Sequence, residues 1–197
     1  MPGETIYMTG DESTGKFYII ESGKIKVSIL SQDGSEKILG IHDKNTLFGE
    51  TAAFDGHSYF ATATAVERTR LHVVDAEDFL ALIDKHPKVS RLMIDAFARV
   101  VRMLVLQIED LSFLGANKRV AHMLYKLATE IGHRTDRGMM LAKKFTHEDI
   151  ANLTGLSRVS VSLALNVFEE LGILRKKRHM IEIFDMEKLK RIVANSE

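Results

Sequence analysis

The stretch that begins at His147 has the residue types and spacing of a unit that reads DNA bases. Counted from His147, the fifth residue is Ala151, the ninth is Gly155 and the fifteenth is Val161. A helix-turn-helix needs a small residue where its helices cross, a glycine at its turn and a branched apolar residue in its second helix. The pattern therefore predicts two helices that meet near Gly155, the second of which would enter the major groove of DNA.

The second helix, predicted over 158–171, has an interior face formed by Val161, Ala164, Leu165 and Phe168, and its opposite face is suited to contact base edges. Arg158 can donate two hydrogen bonds to guanine O6 and N7, whereas Val159 and Leu163 offer only apolar contact, for instance to a thymine methyl group. We therefore expect a target sequence rich in A·T pairs. The residues expected to contact DNA, including the caps of both helices and a basic segment farther on, are Thr146, His147, Ser157, Arg158, Val159, Ser160, Ser162, Leu163, Lys176, Lys177 and Arg178.

A basic segment follows the second helix. Residues 172–175 and 180–184 flank Lys177–His179, so the sequence predicts a β-hairpin with the four cations from Arg175 to Arg178 at its tip. A hairpin of this kind beside a recognition helix forms a wing that can contact phosphates. The alternative is a solvated charged surface, and the helix-turn-helix immediately upstream favours the wing.

Charge and composition support this division of the chain and exclude several functions. Residues 1–88 have a net charge of −5 and residues 116–197 a net charge of +5, so only the C-terminal part is suited to bind a polyanion. The absence of cysteine excludes disulfides, thiolate zinc sites and cysteine-ligated iron–sulfur clusters. Because we find neither a membrane-spanning segment nor a signal peptide, we expect a cytoplasmic protein without a membrane partner.

The elements around this unit differ between the two parts of the chain. Short alternating segments over residues 5–86 are typical of a β-barrel or sandwich. Strands are predicted at 17–20, 25–29, 37–41, 61–65 and 71–74, with a hairpin turn at Asp33–Gly34 and a short helix from the N-cap Asp75 to Ile83. An amphipathic helix is predicted over Lys118–Ile131, and Gly132–Gly138 is expected to be a polar loop.

One long helix is predicted from Val89 to Leu114. Its apolar residues Ile94, Phe97, Val101, Leu104, Ile108 and Leu111 alternate in spacing between three and four, as along the seam of a coiled coil. A second apolar stripe consists of Met93, Val100, Met103 and Leu106. A helix with two apolar stripes is either buried within its own domain or packs on its domain with one stripe and on a second copy with the other. We expect the second arrangement, a homodimer.

In this order, the segments resemble transcription regulators of the cyclic-AMP receptor/FNR family. The resemblance covers nearly all of the chain and is carried by Gly10-Asp11 before Phe17–Ile20, Ser22–Ile25, Phe48–Glu50, Asp110–Leu114 and Thr146–Asn166. It implies an α+β fold: a β-roll over residues 1–86 similar to the cyclic-nucleotide-binding jelly roll, a dimerisation helix over 87–115, and a winged helix-turn-helix over 116–197. Family members usually begin with an additional helix and strand, so this chain is expected to lack that segment.

The resemblance also implies how such a protein works. A homodimer would bind double-stranded DNA that contains two half-sites, and a small effector would bind between each β-roll and the long helices. Gly115 would be the hinge through which the effector reorients the recognition helices. The resemblance further implies RNA polymerase as a partner.

The effector is expected to differ from cyclic AMP. The phosphate-binding Arg-Ser pair of nucleotide-binding members aligns with Tyr59-Phe60, and the adenine-binding Thr-Ser pair aligns with Leu104-Val105. Glu50, at the ribose-binding position, is retained. A small apolar or aromatic molecule is therefore expected, in line with a resemblance of residues 59–63 to the haloaromatic-sensing branch. The expected effector-binding residues are Phe48, Gly49, Glu50, Tyr59, Phe60, Ala61, Thr62, Leu104 and Val105.

Three alternatives remain open for the N-terminal part. His57 could bind haem in a gas or redox sensor, although no other cofactor is expected. His42, His57 and His72 invite comparison with metalloenzymes of the cupin fold, but the His-x-His motif of those enzymes is absent, as are the common catalytic and nucleotide-binding motifs. We therefore predict that the protein is not an enzyme. In the third alternative, the residues named above fill the roll and no effector binds.

Overall fold

The computed structural model describes residues 1–32 and 34–194. They divide between two units, Met1–Met103 and the part from Leu104 onward. The boundary lies within one long helix, so each unit contains part of that helix. The division into domains 1–86, 87–115 and 116–197 stays a prediction.

The first unit consists of strands followed by helices. In chain order the elements are β1 (Thr5–Tyr7), β2 (Lys16–Ser22), β3 (Ile25–Leu30), β4 (Glu36–His42), β5 (Leu47–Phe48), α1 (Glu50–Asp55), β6 (Thr62–Ala65), β7 (Arg70–Asp75) and α2 (Ala76–Lys85). The strands pair in the order β1-β6-β3-β4 in one sheet and β5-β2-β7 in the other. Every pairing is antiparallel.

The two sheets of the roll share one core. Ile25 and Val27 of β3 point inward with Ala63 and Ala65 of β6, and they pack with Ile20 from the other sheet. Alternate residues of a strand face opposite sides, so the alternation in the sequence places these side chains inside. The predicted helix is confirmed as α2, and the Asp75 side chain caps it by accepting a hydrogen bond from the Glu77 main-chain N–H.

The long helix α3 runs from Pro87 to Phe113. Proline suits the first turn of a helix, because its φ is already helical and the N–H it lacks has no partner there. Twenty-seven residues extend over about 40 Å at about 1.5 Å per residue.

The second unit contains the helix-turn-helix. Its elements are α4 (Ala116–Ile131), β8 (Gly132–Thr135), β9 (Gly138–Leu141), α5 (His147–Thr154), α6 (Arg158–Glu170), β10 (Leu174–Lys177), β11 (Met180–Ile183) and α7 (Met186–Ala194). The strands form a sheet in the order β10-β11-β9-β8. The core between the helices and this sheet includes Val120, Leu124, Leu165, Phe168 and Ile183.

The α+β fold class is confirmed, and two local predictions need correction. The polar loop predicted for Gly132–Gly138 is wrong: β8 and β9 form a hairpin there, and β9 extends the sheet by pairing with β11. Main-chain hydrogen bonds hold these strands in the sheet, so their exposed side chains can be polar, as those of a loop are. The strand predicted at 61–65 begins at Thr62, and β1, β5, α1 and α7 were not predicted. In the predicted Asp33–Gly34 turn, Gly34 has φ 84°, and Asp33 lies outside the described residues.

Candidate nucleic-acid interface and effector cavity

Two capping arrangements fix the start of each helix in the helix-turn-helix. The Thr146 hydroxyl accepts a hydrogen bond from the Asp149 main-chain N–H (3.0 Å), and the Asp149 carboxylate accepts one from the Thr146 main-chain N–H (2.7 Å). The Ser157 hydroxyl accepts a hydrogen bond from the Ser160 main-chain N–H (3.1 Å). Between the helices, Gly155 ends α5 at φ 68°, a left-handed conformation that favours glycine. The predicted helix-turn-helix is confirmed.

The two faces of α6 differ as the sequence predicted. Val161, Ala164, Leu165 and Phe168 are buried against the domain core. On the opposite face, Val159 is 68% exposed and Leu163 is 62% exposed, and Arg158, Ser162 and Asn166 share this face at helical spacing. Two large apolar side chains that face solvent between polar ones are suited to contact base edges and thymine methyl groups.

The basic hairpin differs from its prediction at the tip. Arg175, Lys176 and Lys177 lie on β10, and the two-residue turn between Lys177 and Met180 is Arg178–His179. Both turn residues have positive φ, 50° and 66°, as a type I′ turn requires. The prediction that four cations occupy the tip is therefore wrong, because three of them lie on a strand whose residues face alternate sides of the sheet.

Lys176 connects the hairpin to α6. Its Nζ lies 2.7 Å from the Asn166 side-chain oxygen and 3.4 Å from a carboxylate oxygen of Glu169. Its main-chain N–H donates to Glu169 as well, at 3.0 Å. Lys176 thus holds the hairpin against the recognition helix, and whether it also contacts a phosphate stays a prediction, as for the other DNA-contacting residues.

The start of α5 lies in a positive electrostatic environment. Burial, followed by the positive charges of Lys176, Arg158 and His179, lowers the pKa of His147. His147 is therefore close to cations from both α6 and the hairpin. A polyanion is favoured at such a surface, because it neutralises like charges that otherwise repel one another.

The first unit contains a cavity of about 210 Å3 between the β4–α1 segment and one face of α3. Met93, Ala96, Val100 and Met103 form its apolar wall on α3. The remaining lining residues are His42, Asn45, Thr46, Leu47, Glu50, Phe97 and Arg99. The cavity is thus mainly apolar with a few polar groups, the composition typical of small-molecule sites.

Two titratable side chains of this cavity are shifted by their environment. Burial raises the pKa of the Glu50 carboxyl. Burial lowers the pKa of His42, opposed by the charge of Asp43. Both shifts favour the uncharged forms, which makes the cavity more apolar than its residue types suggest.

Tyrosines fill the interior of the roll near Gly49. The rings of Tyr7 and Tyr59 stack with centroids 3.9 Å apart, and the ring of Tyr18 stacks on Phe48 at 5.1 Å. A Cβ on Gly49, whose φ is 80°, would lie within about 3.3 Å of the Tyr7 and Tyr18 rings. Glycine therefore leaves the space that these rings occupy.

The structure separates the predicted effector residues. Glu50 lines the cavity, whereas Phe48, Tyr59 and Ala61 are buried in the core of the roll. Phe60 is exposed. The remaining ones are Gly49 at the start of α1, Thr62 at the start of β6, and Leu104 and Val105 on α3 directly after the cavity-lining residue Met103.

The predicted dimer seam is an exposed apolar stripe. Ile94, Phe97, Val101, Leu104, Ile108 and Leu111 are all exposed along α3. Met93, from the second predicted stripe, is buried, and Leu106 from the same stripe is exposed, so that stripe does not act as one surface. A contiguous exposed stripe on a helix indicates an interaction surface.

The predicted hinge is short and is bridged by side chains. Gly115 lies between the end of α3 and the start of α4 with an extended conformation, φ −66° and ψ 169°. The His122 Nδ1 on α4 lies 3.0 Å from both carboxylate oxygens of Asp110 on α3. This contact joins the two helices on either side of Gly115.

The alternatives of haem and metal binding receive no geometric support from the described residues. The His57 side chain is exposed and contacts the main-chain oxygen of Asp55 at 3.0 Å. Within residues 1–32 and 34–194, no three histidine or acidic side chains are grouped as metal ligands. In the same residues, no helix is long and apolar enough to cross a membrane.

Comparisons with known proteins agree on one family for both units. The cyclic nucleotide-binding domain matches residues 1–86, and the Crp-like helix-turn-helix domain matches residues 118–192. A CRP-like cAMP-activated global transcriptional regulator from Mycobacterium tuberculosis is 32% identical over 189 residues, which are 96% of this chain and 84% of that protein. The cyclic AMP receptor protein of Thermus thermophilus is also 32% identical, with 96% and 84% covered.

Solved structures have the same fold. A CRP-family transcriptional regulator from Thermus thermophilus superposes with a TM-score of 0.78 at 25% identity, covering 99% of this chain and 95% of that one. A CooA mutant from Carboxydothermus hydrogenoformans has a TM-score of 0.80 at 24% identity, with 98% and 84% covered. The second resemblance concerns the fold alone.

Proposed function

We infer how this protein works from its family: the chain belongs to the cyclic-AMP receptor/FNR family of DNA-binding transcription regulators. Its relatives are regulators and not enzymes. We propose that it acts as a homodimer on double-stranded DNA with two half-sites. Because its target is DNA, we propose the cytoplasm as its compartment.

The outward face of α6 carries this proposal. With Arg158 at the N-terminal end and Val159 and Leu163 exposed beside it, the helix presents one strong hydrogen-bond donor and two apolar contacts. Residues at this end of a recognition helix reach base edges in the major groove. Each half-site should therefore contain one guanine that Arg158 reads and adjacent thymines whose methyl groups meet the apolar side chains.

We propose that the exposed stripe on α3 forms the dimer interface. Paired helices would place the two recognition units in a symmetric arrangement, which matches inverted half-sites. The centres of two such half-sites lie about 10 to 10.5 bp apart, one turn of the DNA helix.

The effector is proposed to be a small aromatic molecule that binds in the cavity beside Glu50. A cavity of about 150 Å3 lined by apolar side chains accommodates benzene, so a cavity of about 210 Å3 fits one substituted aromatic ring. The uncharged states favoured for Glu50 and His42 suit a neutral ligand that carries a hydroxyl or similar polar group.

Cyclic AMP suits this unit less well than a small aromatic molecule does. Tyr59 stands at the position of the phosphate-binding pair, and it is buried against Tyr7 and cannot neutralise a phosphate. Desolvating an unpaired anion costs several kcal/mol at least. Three observations favour the nucleotide, namely two relatives named for cyclic AMP, the retained Glu50, and Arg99, a cation that lines the cavity and could pair with a phosphate, so the experiment includes cyclic AMP.

Phe97 supports the proposed link between the effector and DNA binding. It lines the cavity and is also part of the exposed stripe on α3. A ligand that moves the Phe97 ring would therefore change the surface through which two helices pack. A ligand shifts such an equilibrium only by its difference in affinity for the two states.

The test combines a ligand panel with a cavity-filling variant. Titration calorimetry with 2-chlorophenol, phenol and cyclic AMP should give heat of binding for a phenol and none for the nucleotide. Ala96→Phe should abolish phenol binding, because Ala96 lines the cavity. The matched control Ala98→Phe, at an exposed position on the same helix, should bind phenols as the wild type does.

Two outcomes would contradict the effector proposal. Micromolar binding of cyclic AMP that Glu50→Ala abolishes would restore the nucleotide as effector. Equal phenol binding by the wild type and by Ala96→Phe would place the ligand elsewhere.

A further inference from the structure

Asn166 lies on the outward face of α6, beyond the residues at its N-terminal end. It follows Val159 by two turns of the helix, so the two side chains point within about 20° of each other around the helix axis. Asn166 is exposed, as Val159 and Leu163 are. The face that is proposed to read bases therefore has a polar side chain about 10 Å farther along the helix.

Lys176 determines which way the Asn166 amide points. Its Nζ donates a hydrogen bond to Asn166 Oδ1 at 2.7 Å. An ammonium group can only donate, so the amide atom that faces Lys176 is the oxygen and the amide nitrogen points away. Within residues 1–32 and 34–194, that nitrogen donates no hydrogen bond. Asn166 therefore presents two unused N–H donors on an exposed part of the recognition helix.

Lys176 is itself held in place by its main chain and by its ammonium group. Its main-chain N–H donates to one carboxylate oxygen of Glu169 at 3.0 Å, and its Nζ lies 3.4 Å from the other. Lys176 is also paired with Ile181 in the hairpin, and its side chain is only 19% exposed. A side chain fixed at both ends has few alternative rotamers, so the hydrogen bond to Asn166 keeps its direction.

The orientation of this amide decides which bases it can read. An asparagine with both amide atoms available reads adenine, because its oxygen accepts from N6 while its nitrogen donates to N7. When the oxygen faces Lys176, only the N–H donors are presented to the major groove. The keto oxygens of guanine O6 and thymine O4 accept from such donors, whereas the amino groups of adenine N6 and cytosine N4 do not.

We propose that Asn166 is a specificity-determining residue that selects guanine or thymine at one position of each half-site, and that Lys176 is the positioning residue that prevents it from reading adenine. The inference rests on the proposed function and adds a second selected position to the guanine that Arg158 reads. Asn166 lies about 12 Å along α6 from Arg158. At about 3.4 Å per base pair, the second position is about three base pairs from that guanine.

The experiment compares base preferences of the wild type and of variants by selection from a random DNA pool. At the second position the wild type should enrich guanine or thymine over adenine by at least about fivefold, the lower limit for one base contact. Asn166→Ala should lose this preference and keep that for the guanine read by Arg158. Lys176→Met removes the donor and leaves the amide free to turn, so adenine should be enriched at least as strongly as guanine or thymine.

A second variant tests the same contact without disturbing Lys176. Asn166→Asp keeps an oxygen for Lys176 and replaces the amide N–H donors with an acceptor, so the preference should reverse toward cytosine and adenine, whose amino groups donate. The matched control is Lys177→Met. Lys177 is the next residue on β10 and lies on the opposite face of the strand, so this variant should retain the base preferences of the wild type. Far-ultraviolet circular dichroism should show that all variants fold.

Each other outcome has a definite meaning. If Asn166→Ala leaves every base preference unchanged, or weakens binding to all sequences alike, Asn166 reads no base and the inference is overturned, while the proposed function stands. A wild type that prefers adenine at the position lost in Asn166→Ala would overturn the role of Lys176. So would a Lys176→Met variant that keeps the preference of the wild type there. Enrichment of no motif by the wild type would contradict the proposed function itself.

Discussion

Replacing Ile108 with aspartate perturbs the exposed apolar stripe on α3. Ile108 is 61% exposed in the protomer, and in the proposed dimer it packs against the partner helix. An aspartate there removes the apolar contact and buries a carboxylate with no partner. Both effects weaken association and leave the protomer core untouched.

The expected rise in the dimer Kd follows from the exposed fraction of the Ile108 side chain. Complete burial of an isoleucine side chain contributes about 1.5–3 kcal/mol. Burial of the exposed 61% therefore contributes about 1–2 kcal/mol for each copy, and about twice that for the dimer. Since about 1.4 kcal/mol corresponds to a tenfold change in Kd, the dimer Kd should rise at least about 30-fold. Desolvation of the carboxylate adds to this effect.

Sedimentation velocity over a concentration series measures the Kd directly. Leu106→Asp is the matched control, because Leu106 is 52% exposed and lies about 200° around the helix from Ile108. It should leave the Kd unchanged, and far-ultraviolet circular dichroism should show that both variants fold. Equal dissociation of the two variants, or a wild type that is monomeric at micromolar concentration, would refute the assignment of the seam.

Three further perturbations address other parts of the molecule. Arg158→Ala should weaken operator binding by about 1–3 kcal/mol and relax specificity at one base pair, whereas Lys177→Ala should weaken binding to all sequences alike, as competition with mismatched operators will measure. Thr146→Ala should lower the free energy of unfolding in urea by about 1 kcal/mol through loss of the cap, and Thr146→Ser should restore it. Because burial raises the pKa of Glu50, the folded protein retains a proton that the unfolded chain releases, so the free energy of unfolding contributed by this group falls as pH rises from 4.5 to the raised pKa. Glu50→Gln should remove that fall in a pH series of urea titrations, and an unchanged pH dependence would contradict the shift.

Sequence periodicity predicted the recognition unit well, because local rules determine it. The spacing of Val161, Leu165 and Phe168 identified the buried face of α6, and all three are buried. Thr146 and Ser157 cap the helices as predicted, since a cap depends only on residues within one turn.

Among the elements that were not predicted from the sequence, the β8–β9 hairpin lacks a local signal, whereas α7 has one. The β8–β9 hairpin contains exposed His133 and Arg134, so no alternation of apolar and polar residues marks it, and its pairing with β11 joins segments more than 40 residues apart in sequence. Helix α7 had a usable signal in the spacing of Leu189, Ile192 and Val193, which pack on the domain core.

The sequence predicted only part of the effector cavity, because residues far apart along the chain line it. Glu50, which lines the cavity, was identified because the segment Phe48–Glu50 resembles a family motif. His42 lies at the end of a strand, and Ala96 and Val100 lie on a helix some fifty residues farther along the chain. Tertiary packing alone brings these segments together, so their common lining of one cavity has no counterpart in local sequence. Tertiary packing also stacks the ring of Tyr59 on the ring of Tyr7, a contact that local sequence does not predict.

Selection of bound DNA from a random pool, with sequencing of the enriched fragments, tests the central claim that the protein is a dimeric, base-reading regulator. The wild type should enrich an inverted repeat with a guanine in each half, rich in A·T pairs, and with half-site centres about 10 to 10.5 bp apart. Arg158→Ala should lose the preference for that guanine in both halves. Enrichment of no motif, or of a single unpaired half-site that Arg158→Ala leaves unchanged, would contradict the account.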